Sequence, residues 1–287
     1  MAKKLDGRQL ANKMQLELQE EVSRWSENNQ RLPKLVVILV GEDTASQVYV
    51  RNKEKAAKKI GILSEVVKLN DTISEKELLS LIATYNADDT VDGLLVQLPL
   101  PKQINEEHVL LAIDPKKDVD GFHPMNVGKL FVGSPNMVPC TPFGIVTLLK
   151  ENGVVLAGKK VVIIGRSNIV GKPLMHLLLQ EDATVTIAHS KTKDLKAETL
   201  TADILVVAIG QAEMITADYI KPGAVVVDVG MNRNHEGKLV GDVNFSEVEP
   251  IASFITPVPG GVGPMTITML MEQTVRQVRE ENQKRSL

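Results

Sequence analysis

The sequence predicts an α/β protein of two domains: an amino-terminal α/β domain and a carboxyl-terminal domain built on a mostly parallel sheet. Three observations carry this expectation. Short β-branched runs alternate with longer segments of helical spacing. The runs are continuously apolar, as in strands covered by helices on both faces. The chain of 287 residues, at roughly 150 residues per domain, is long enough for two cores.

In chain order, Gly7–Asn28 places Leu10, Met14, Leu18 and Val22 on one helical stripe. Leu35–Val40 reads as a buried strand, and Thr44–Ile60 as a helix that starts at the cap residue Thr44. Ser74–Thr84 opens with Ser74-Glu75-Lys76-Glu77, where Glu77 can reach back to the cap amide. A strand at Gly93–Gln97 and a helix at Glu106–Ile113 follow. From Asp114 to Pro142 glycines and prolines break the pattern, as in a domain linker or a functional loop. The boundary is expected near Pro142–Gly158, with the helix Pro142–Asn152 crossing it, so that residues 1–141 form the first domain and 142–265 the second. Strands at Lys160–Ile164, Thr184–Ala188, Ile204–Ile209, Ala224–Val229 and Ser253–Thr256, with a helix at Ile169–Glu181, build the second. The last helix, Thr266–Lys284 within the segment 266–287, is expected to return to the first domain.

Composition removes several classes of function. A net charge of -3 and a pI near 6.0 disfavour nucleic acid as a main partner, because duplex binders usually carry a basic face. Cys140 is the single cysteine, so an internal disulfide framework and a multi-cysteine metal site are excluded. Apolar runs such as Leu35–Val40 and Ile204–Ile209 fall far short of the ~20 residues that cross a bilayer. Met1–Lys4 is basic, but Asp6, Arg8 and Gln9 stand where a signal peptide needs its apolar stretch. The expectation is a soluble cytoplasmic protein with no membrane partner.

The second half carries a dinucleotide signal. Lys160–Ile164 ends in Gly165-Arg166-Ser167-Asn168-Ile169-Val170-Gly171, a strand, glycine turn and helix start whose free amides and dipole suit a phosphate. Two glycines are too few for the strict fingerprint, and a plain βα turn is the alternative. The next strand ends in His189-Ser190-Lys191-Thr192, without the acid that binds the ribose hydroxyls in NAD sites. Lys191, Arg166 and Ser190 fit a 2′-phosphate, favouring NADP over NAD; a solvated lysine-rich loop is the other reading. Ile209-Gly210 and Val229-Gly230 also end strands in glycine, as where backbone passes close to a nucleotide. These features make this a Rossmann-like domain, although fold alone names no substrate.

The first half offers reactive groups. Tyr49 and Lys53 sit on one helical face, where a phenol can orient an amine and burial can tune it; Lys53 could equally join Lys55, Lys58 and Lys59 as a surface cation. Gln97 stands at the carboxyl end of a buried strand, between Val96 and Leu98, where open α/β sheets bind ligands; pairing with nearby backbone is the alternative. Lys117-Asp118-Val119-Asp120-Gly121 offers carboxylates but too few converging ligands for a metal. Asp120 is either a turn residue or a grip on a guanidine-like ligand edge. Pro259-Gly260-Gly261-Val262-Gly263-Pro264 is a side-chain-poor loop that lets backbone approach a ligand, or a tight turn. Cys140 has no visible activating base and reads as a small hydrophobe.

Taken in order, Tyr49-x-x-x-Lys53, Val96-Gln-Leu-Pro-Leu-Pro101, Lys117-Asp-Val-Asp-Gly-Phe122, Pro139-Cys-Thr-Pro142, Gly165-Arg-Ser-Asn-Ile-Val-Gly171 and Pro259-Gly-Gly-Val-Gly-Pro-Met-Thr266 span nearly the whole chain. This pattern resembles the bifunctional methylenetetrahydrofolate dehydrogenase/methenyltetrahydrofolate cyclohydrolase family. The resemblance implies NADP-dependent oxidation of 5,10-methylenetetrahydrofolate, then hydrolysis to 10-formyltetrahydrofolate, within one-carbon metabolism and purine biosynthesis. It implies Lys53 as the main residue of the hydrolytic step, Gln97 as its hydrogen-bonding partner, and Tyr49 packed along the folate. Asp120 would bind the pterin edge, with Val96, Leu98 and the loop Pro259, Gly260, Gly261, Val262, Gly263, Pro264 bordering the folate. Gly165, Arg166, Ser167, Ser190 and Met231 would line the NADP site. A homodimer is what the family suggests, and a cleft between the two domains, with the cofactor on one wall and folate on the other, is the architecture the resemblance implies. The alternatives are a dehydrogenase without cyclohydrolase activity, against which Lys53, Gln97 and Asp120 argue, and a non-catalytic NADP-binding protein.

Overall fold

The computed structural model describes Met1–Arg285; positions 286 and 287 of the expected terminal segment lie outside the described residues. The elements run β1 (Lys3–Lys4), α1 (Gly7–Glu27), β2 (Lys34–Val40), α2 (Thr44–Ile60), β3 (Leu63–Leu69), α3 (Glu75–Ala87), β4 (Gly93–Val96), α4 (Glu106–Ala112), α5 (Pro124–Phe131) and α6 (Cys140–Glu151). They continue as β5 (Lys160–Ile164), α7 (Gly171–Gln180), β6 (Thr184–Ala188), α8 (Leu195–Thr199), β7 (Ile204–Val207), β8 (Val225–Asp228), β9 (Asn232–Arg233), β10 (Leu239–Val240), α9 (Phe245–Val248), β11 (Phe254–Ile255) and α10 (Val262–Arg285). Two units form: one from Asn12–Cys140 with the chain from Ile267 on, the other from Met1–Ala11 and Thr141–Thr266. Among the described residues no helix is long and apolar enough to cross a membrane.

The unit holding α2 is built on a parallel sheet of order β3-β2-β4. Leu35–Val40 are all buried, which is why β2 reads as one apolar run. The chain leaves β2 to one side for β3 and returns to the other side for β4, with Val36 beside Leu94 and Ile38 beside Val96. The carboxyl ends of β2 and β4 therefore flank a topological switch point, where open parallel sheets take their ligands. Strand β3 has no counterpart among the expected strands. Ser64, Glu65 and Lys68 interrupt its apolar residues because it is an edge, where polar residues are the rule.

Several ends differ from expectation. The cap of α2 is Asp43, whose carboxylate accepts from the Ser46 amide at 2.8 Å, so Thr44 is the first helical residue. The Ser74–Glu77 box forms with both of its hydrogen bonds. The punctuated stretch 114–142 hides α5: Pro124 occupies the first turn, where no amide is needed, and His123 Nδ1 accepts from the Met125 amide at 3.0 Å. Helix α10 begins at Val262 rather than Thr266 because Pro264, again in a first turn, does not break it. Its later residues anchor to their unit through polar pairs. Arg279 forks onto Glu21 at 2.7 and 2.9 Å, and Gln15 Nε2 donates to Thr268 Oγ1 at 2.9 Å.

The other unit holds the sheet β1-β11-β8-β7-β5-β6, with every pairing parallel. Val162, Ile164, Leu205, Val207, Val226 and Ile255 form its core, each fully buried side chain of this kind contributing roughly 1.5–3 kcal/mol. The residues Met1–Ala11, expected within the domain 1–141, belong here because Lys3 and Lys4 of β1 register with Phe254 and Ile255 of β11. Strand β5 lies between β6 and β7, so a second switch point falls at its carboxyl end, at Gly165.

Candidate functional site

Helix α2 buries Ser46, Val50, Lys53, Ala56, Ala57 and Ile60 along one face. Lys53 is thus on the core side, 6% exposed, while Lys55, Lys58 and Lys59 are exposed. That separates it from the surface cations with which it shares the helix. Its Nζ donates to Gln97 Oε1 at 3.1 Å. Gln97 Nε2 in turn donates to the Leu98 carbonyl at 2.8 Å, which fixes the amide so that its oxygen faces the lysine. Asp120 Oδ2 stands 4.0 Å from Lys53 Nζ. Tyr49 is half-buried one turn earlier, and burial pushes its phenol above the usual range. Val96 is buried and Leu98 half-buried on the strand end that carries Gln97. Four groups from α2, the end of β4 and the 117–122 loop thus share one place.

The loop beneath Asp120 is held from inside. Asp118 is 2% exposed and accepts from the Phe122 amide at 3.2 Å, the His123 amide at 2.8 Å and Asn126 Nδ2 at 2.8 Å. Burial pushes its carboxyl up to about 6, outweighing the lowering by these donors. Gly121 has φ +75°, and a Cβ there would lie 2.4 Å from the Val138 carbonyl carbon, so no other residue fits the turn that follows Asp120. Of the two carboxylates in the motif, one builds the loop and the other is left partly open. Lys117, the motif's cation, is structural: its Nζ donates to the carbonyls of Tyr85, Asn86 and Asp88 at the end of α3.

In the other unit, Gly165, Arg166 and Ser167 follow β5, and Ser190 follows β6, whose register places Ile164 beside Ala188. The two turns therefore emerge side by side, with Arg166, Ser167, Ser190 and Lys191 all exposed. Gly171 opens α7, and no side chain caps that helix. In its first turn the Lys172 amide donates to the Ser167 carbonyl at 3.1 Å and Pro173 has no N–H, which leaves the Gly171 amide to face an anion. Both glycines have a packing reason besides any ligand: a Cβ at Gly165 would meet the Ala208 carbonyl at 2.2 Å, and one at Gly171 the Gly165 carbonyl at 2.1 Å. The switch point, the Gly171 amide and the exposed Arg166, Ser167, Ser190 and Lys191 together fit a dinucleotide phosphate.

The loop before α10 divides similarly. Gly260 has φ +114°, and a Cβ at Gly261 would lie 2.7 Å from the Pro257 carbonyl oxygen. The Gly260 carbonyl accepts from the Arg8 amide at 2.9 Å. Pro259 follows a cis peptide bond, Val262 is buried, and Pro264 is half-buried in the first turn of α10. At Gly263 a Cβ would meet only Met231 Sδ, at 3.7 Å. Met231 itself is 48% exposed. This brings the expected cofactor residue Met231 beside one end of the expected folate loop.

The motif reading passes over two buried carboxylates, Asp228 and Asp242. Asp228 Oδ1 accepts from the amides of Gly230 and Asp242, both at 2.9 Å, and Oδ2 from Val243 at 2.9 Å. Burial pushes its carboxyl up to about 6. Asp242 accepts from the amides of Ile209, Gly210 and Gln211 at 2.7, 3.1 and 2.8 Å and from Asn232 Nδ2 at 2.8 Å. They tie together the loops at the ends of β7 and β8. Gly230, expected near a nucleotide, is glycine because a Cβ would meet the Asp242 amide at 2.4 Å. The available signal is the strand-end acid Asp228 and the Gly241-Asp242 pair, each an acid beside apolar residues that needs donors.

With this geometry in hand, comparison with known proteins is decisive. Residues 5–120 match the family model of the tetrahydrofolate dehydrogenase/cyclohydrolase catalytic domain, and residues 139–282 that of its NAD(P)-binding domain. The chain belongs to the tetrahydrofolate dehydrogenase/cyclohydrolase family. Within this family it is 62% identical to the bifunctional protein FolD of Enterococcus faecalis, over 98% of this chain and 100% of that protein. The crystal structure of the bifunctional FolD dehydrogenase/cyclohydrolase from Campylobacter jejuni is 49% identical, with a TM-score of 0.95 over 98% of this chain and 100% of that one. The Trypanosoma brucei dehydrogenase-cyclohydrolase, solved with NADP cofactor and an inhibitor, is 39% identical, with a TM-score of 0.93 over 98% of each chain. The family's two-domain α/β architecture, with a catalytic and an NAD(P)-binding domain, is thus the architecture of this chain.

Proposed function

We propose that this protein is an NADP-dependent methylenetetrahydrofolate dehydrogenase and methenyltetrahydrofolate cyclohydrolase, converting 5,10-methylenetetrahydrofolate through the methenyl cation to 10-formyltetrahydrofolate. The observation that carries the reading is the buried Lys53, held 3.1 Å from Gln97 Oε1 and 4.0 Å from Asp120, on a chain that matches both domains of the family.

When bound, NADP+ accepts the hydride from the one-carbon unit. That step needs no proton transfer and depends on holding the reacting carbons close together. Gly165, Arg166, Ser167, Ser190 and Met231 bind the dinucleotide in this reading, the phosphate at the Gly165–Gly171 turn and the 2′-phosphate at Arg166 and Ser190. Asp120 accepts from the N–H groups along the pterin edge. Tyr49 packs on the folate, with Val96, Leu98 and the Pro259–Pro264 loop at its border.

In the hydrolytic step water attacks the methenyl carbon, and the amine of Lys53 takes the proton that water loses. As the carbon–nitrogen bond breaks, that proton passes to the departing ring nitrogen and the adduct's hydroxyl releases its remaining proton to solvent, leaving the formyl group on the other nitrogen. Gln97 keeps the amine aimed at the reacting carbon, because its own orientation is fixed by the Leu98 carbonyl. The same reading takes the protein to be a cytoplasmic homodimer that supplies formyl groups to purine biosynthesis. A coupled assay tests the function: with 5,10-methylenetetrahydrofolate and NADP+, reduced cofactor and then 10-formyltetrahydrofolate accumulate. Absence of reduced cofactor with either NADP+ or NAD+ refutes it.

A further inference from the structure

Helix α10 carries a glutamine where its buried face calls for an apolar residue. Gln273 is fully buried, and every polar atom of its amide is engaged with backbone far away in sequence. Its Nε2 donates to the Val119 carbonyl at 2.7 Å and the Val138 carbonyl at 2.9 Å, and its Oε1 accepts from the Val138 amide at 2.7 Å. The Val119 carbonyl belongs to the peptide unit that enters Asp120. It accepts a further bond from Cys140 Sγ at 3.2 Å. On the other side of Asp120, Gly121 packs so closely on Val138 that a Cβ has no room.

The residue before Asp120 and the irregular segment at Val138, against which the residue after it packs, are therefore tied to one side chain. Rotating the 119–120 peptide would leave the buried Gln273 amide without its partner and would swing the Asp120 carboxylate from its place 4.0 Å from Lys53. We propose that Gln273 is a positioning residue: it locks the peptide plane that aims Asp120 and so sets the affinity for the folate, without touching it. This rests on the proposed function of Asp120 and extends it to α10.

The test uses the full chain with Gln273→Met, which keeps the side chain's length and removes its hydrogen bonds. The expected result is a KM for 5,10-methylenetetrahydrofolate raised about tenfold, the effect of one lost buried hydrogen bond, with the KM for NADP+ unchanged. In an Asp120→Asn background the same substitution adds little further, because the group it aims is already altered. An unchanged folate KM, or equal effects in both backgrounds, overturns the proposal even when the wild type is fully active. An inactive wild type instead defeats the functional reading, and this proposal with it. Should Gln273→Met fail to fold, Cys140→Ala removes the sulfur donor to the same carbonyl. A folate KM about twofold higher with unchanged NADP+ KM then supports the proposal, and no change overturns it.

Discussion

Two strand ends in this molecule solve different problems with the same topology. Beyond β2 and β4, the candidate catalytic side chains are drawn inward: Lys53 is 6% exposed, Gln97 is oriented by its own neighbour, and Asp118 ties the loop under Asp120. Beyond β5, β6 and β7 the side chains Arg166, Ser167 and Ser190 stand exposed, while buried Asp228 and Asp242 organise the backbone behind them. The first arrangement suits chemistry, where a reacting group must hold one geometry in a dry setting. The second suits recognition of a charged, solvated ligand by exposed cationic and hydroxyl side chains.

The largest effect should come from the inward site. Lys53→Met is expected to lower hydrolysis of methenyltetrahydrofolate about 10²- to 10⁴-fold, the usual worth of a general acid–base, while much of the hydride transfer survives. Loss of methenyl absorbance reports the first activity and formation of reduced cofactor the second. Equal loss of both, with the fold intact, would erase the division between the two strand ends.

The sequence showed more of the inward site than of its supports. Tyr49, Lys53, Gln97 and Asp120 are legible because reactive groups sit at helical spacing or on strand ends, and because six ordered motifs resemble one family. Their burial is not legible: Lys53 shares its helix with exposed lysines, and only the packing of α2 separates them. The strands β2, β5 and β7 are read from continuous apolar runs and the edge strand β6 from its β-branched residues, but β3 escapes because an edge tolerates Glu65 and Lys68. Helix α5 escapes because glycine and proline spell a loop where His123 and Pro124 in fact start a helix. Asp228 and Asp242 escape for a general reason. Each makes its bonds to backbone amides of distant segments, and no local pattern encodes a partner chosen by topology.

At the outward site the expected effects are smaller and fall on binding. Arg166→Ala should weaken NADP+ roughly 10- to 100-fold while NAD+ changes little, since a charge-assisted bond to the 2′-phosphate is the contact removed. Ser190→Ala should do the same by about threefold, one neutral hydrogen bond's worth. KM values for the two cofactors, measured side by side, check both. If either substitution weakens both cofactors equally, the 2′-phosphate is read elsewhere, and the exposed cations serve only as a general anion patch.

The finest distinction concerns the glycines before α10. A methyl at Gly261 would sit 2.7 Å from the Pro257 carbonyl oxygen and 2.8 Å from Thr256 Cβ, so Gly261→Ala should destabilise the protein by about 1–3 kcal/mol in denaturant unfolding. At Gly263 the added methyl meets only Met231 Sδ at ordinary contact distance, 3.7 Å. Gly263→Ala should therefore leave stability within about 1 kcal/mol of the wild type. If the folate borders this turn, its KM should nonetheless rise about threefold, because the methyl intrudes on the ligand rather than on the protein. Unchanged stability with unchanged folate KM would mean that Gly263 lies away from the ligand, and that the glycines of this loop serve packing alone.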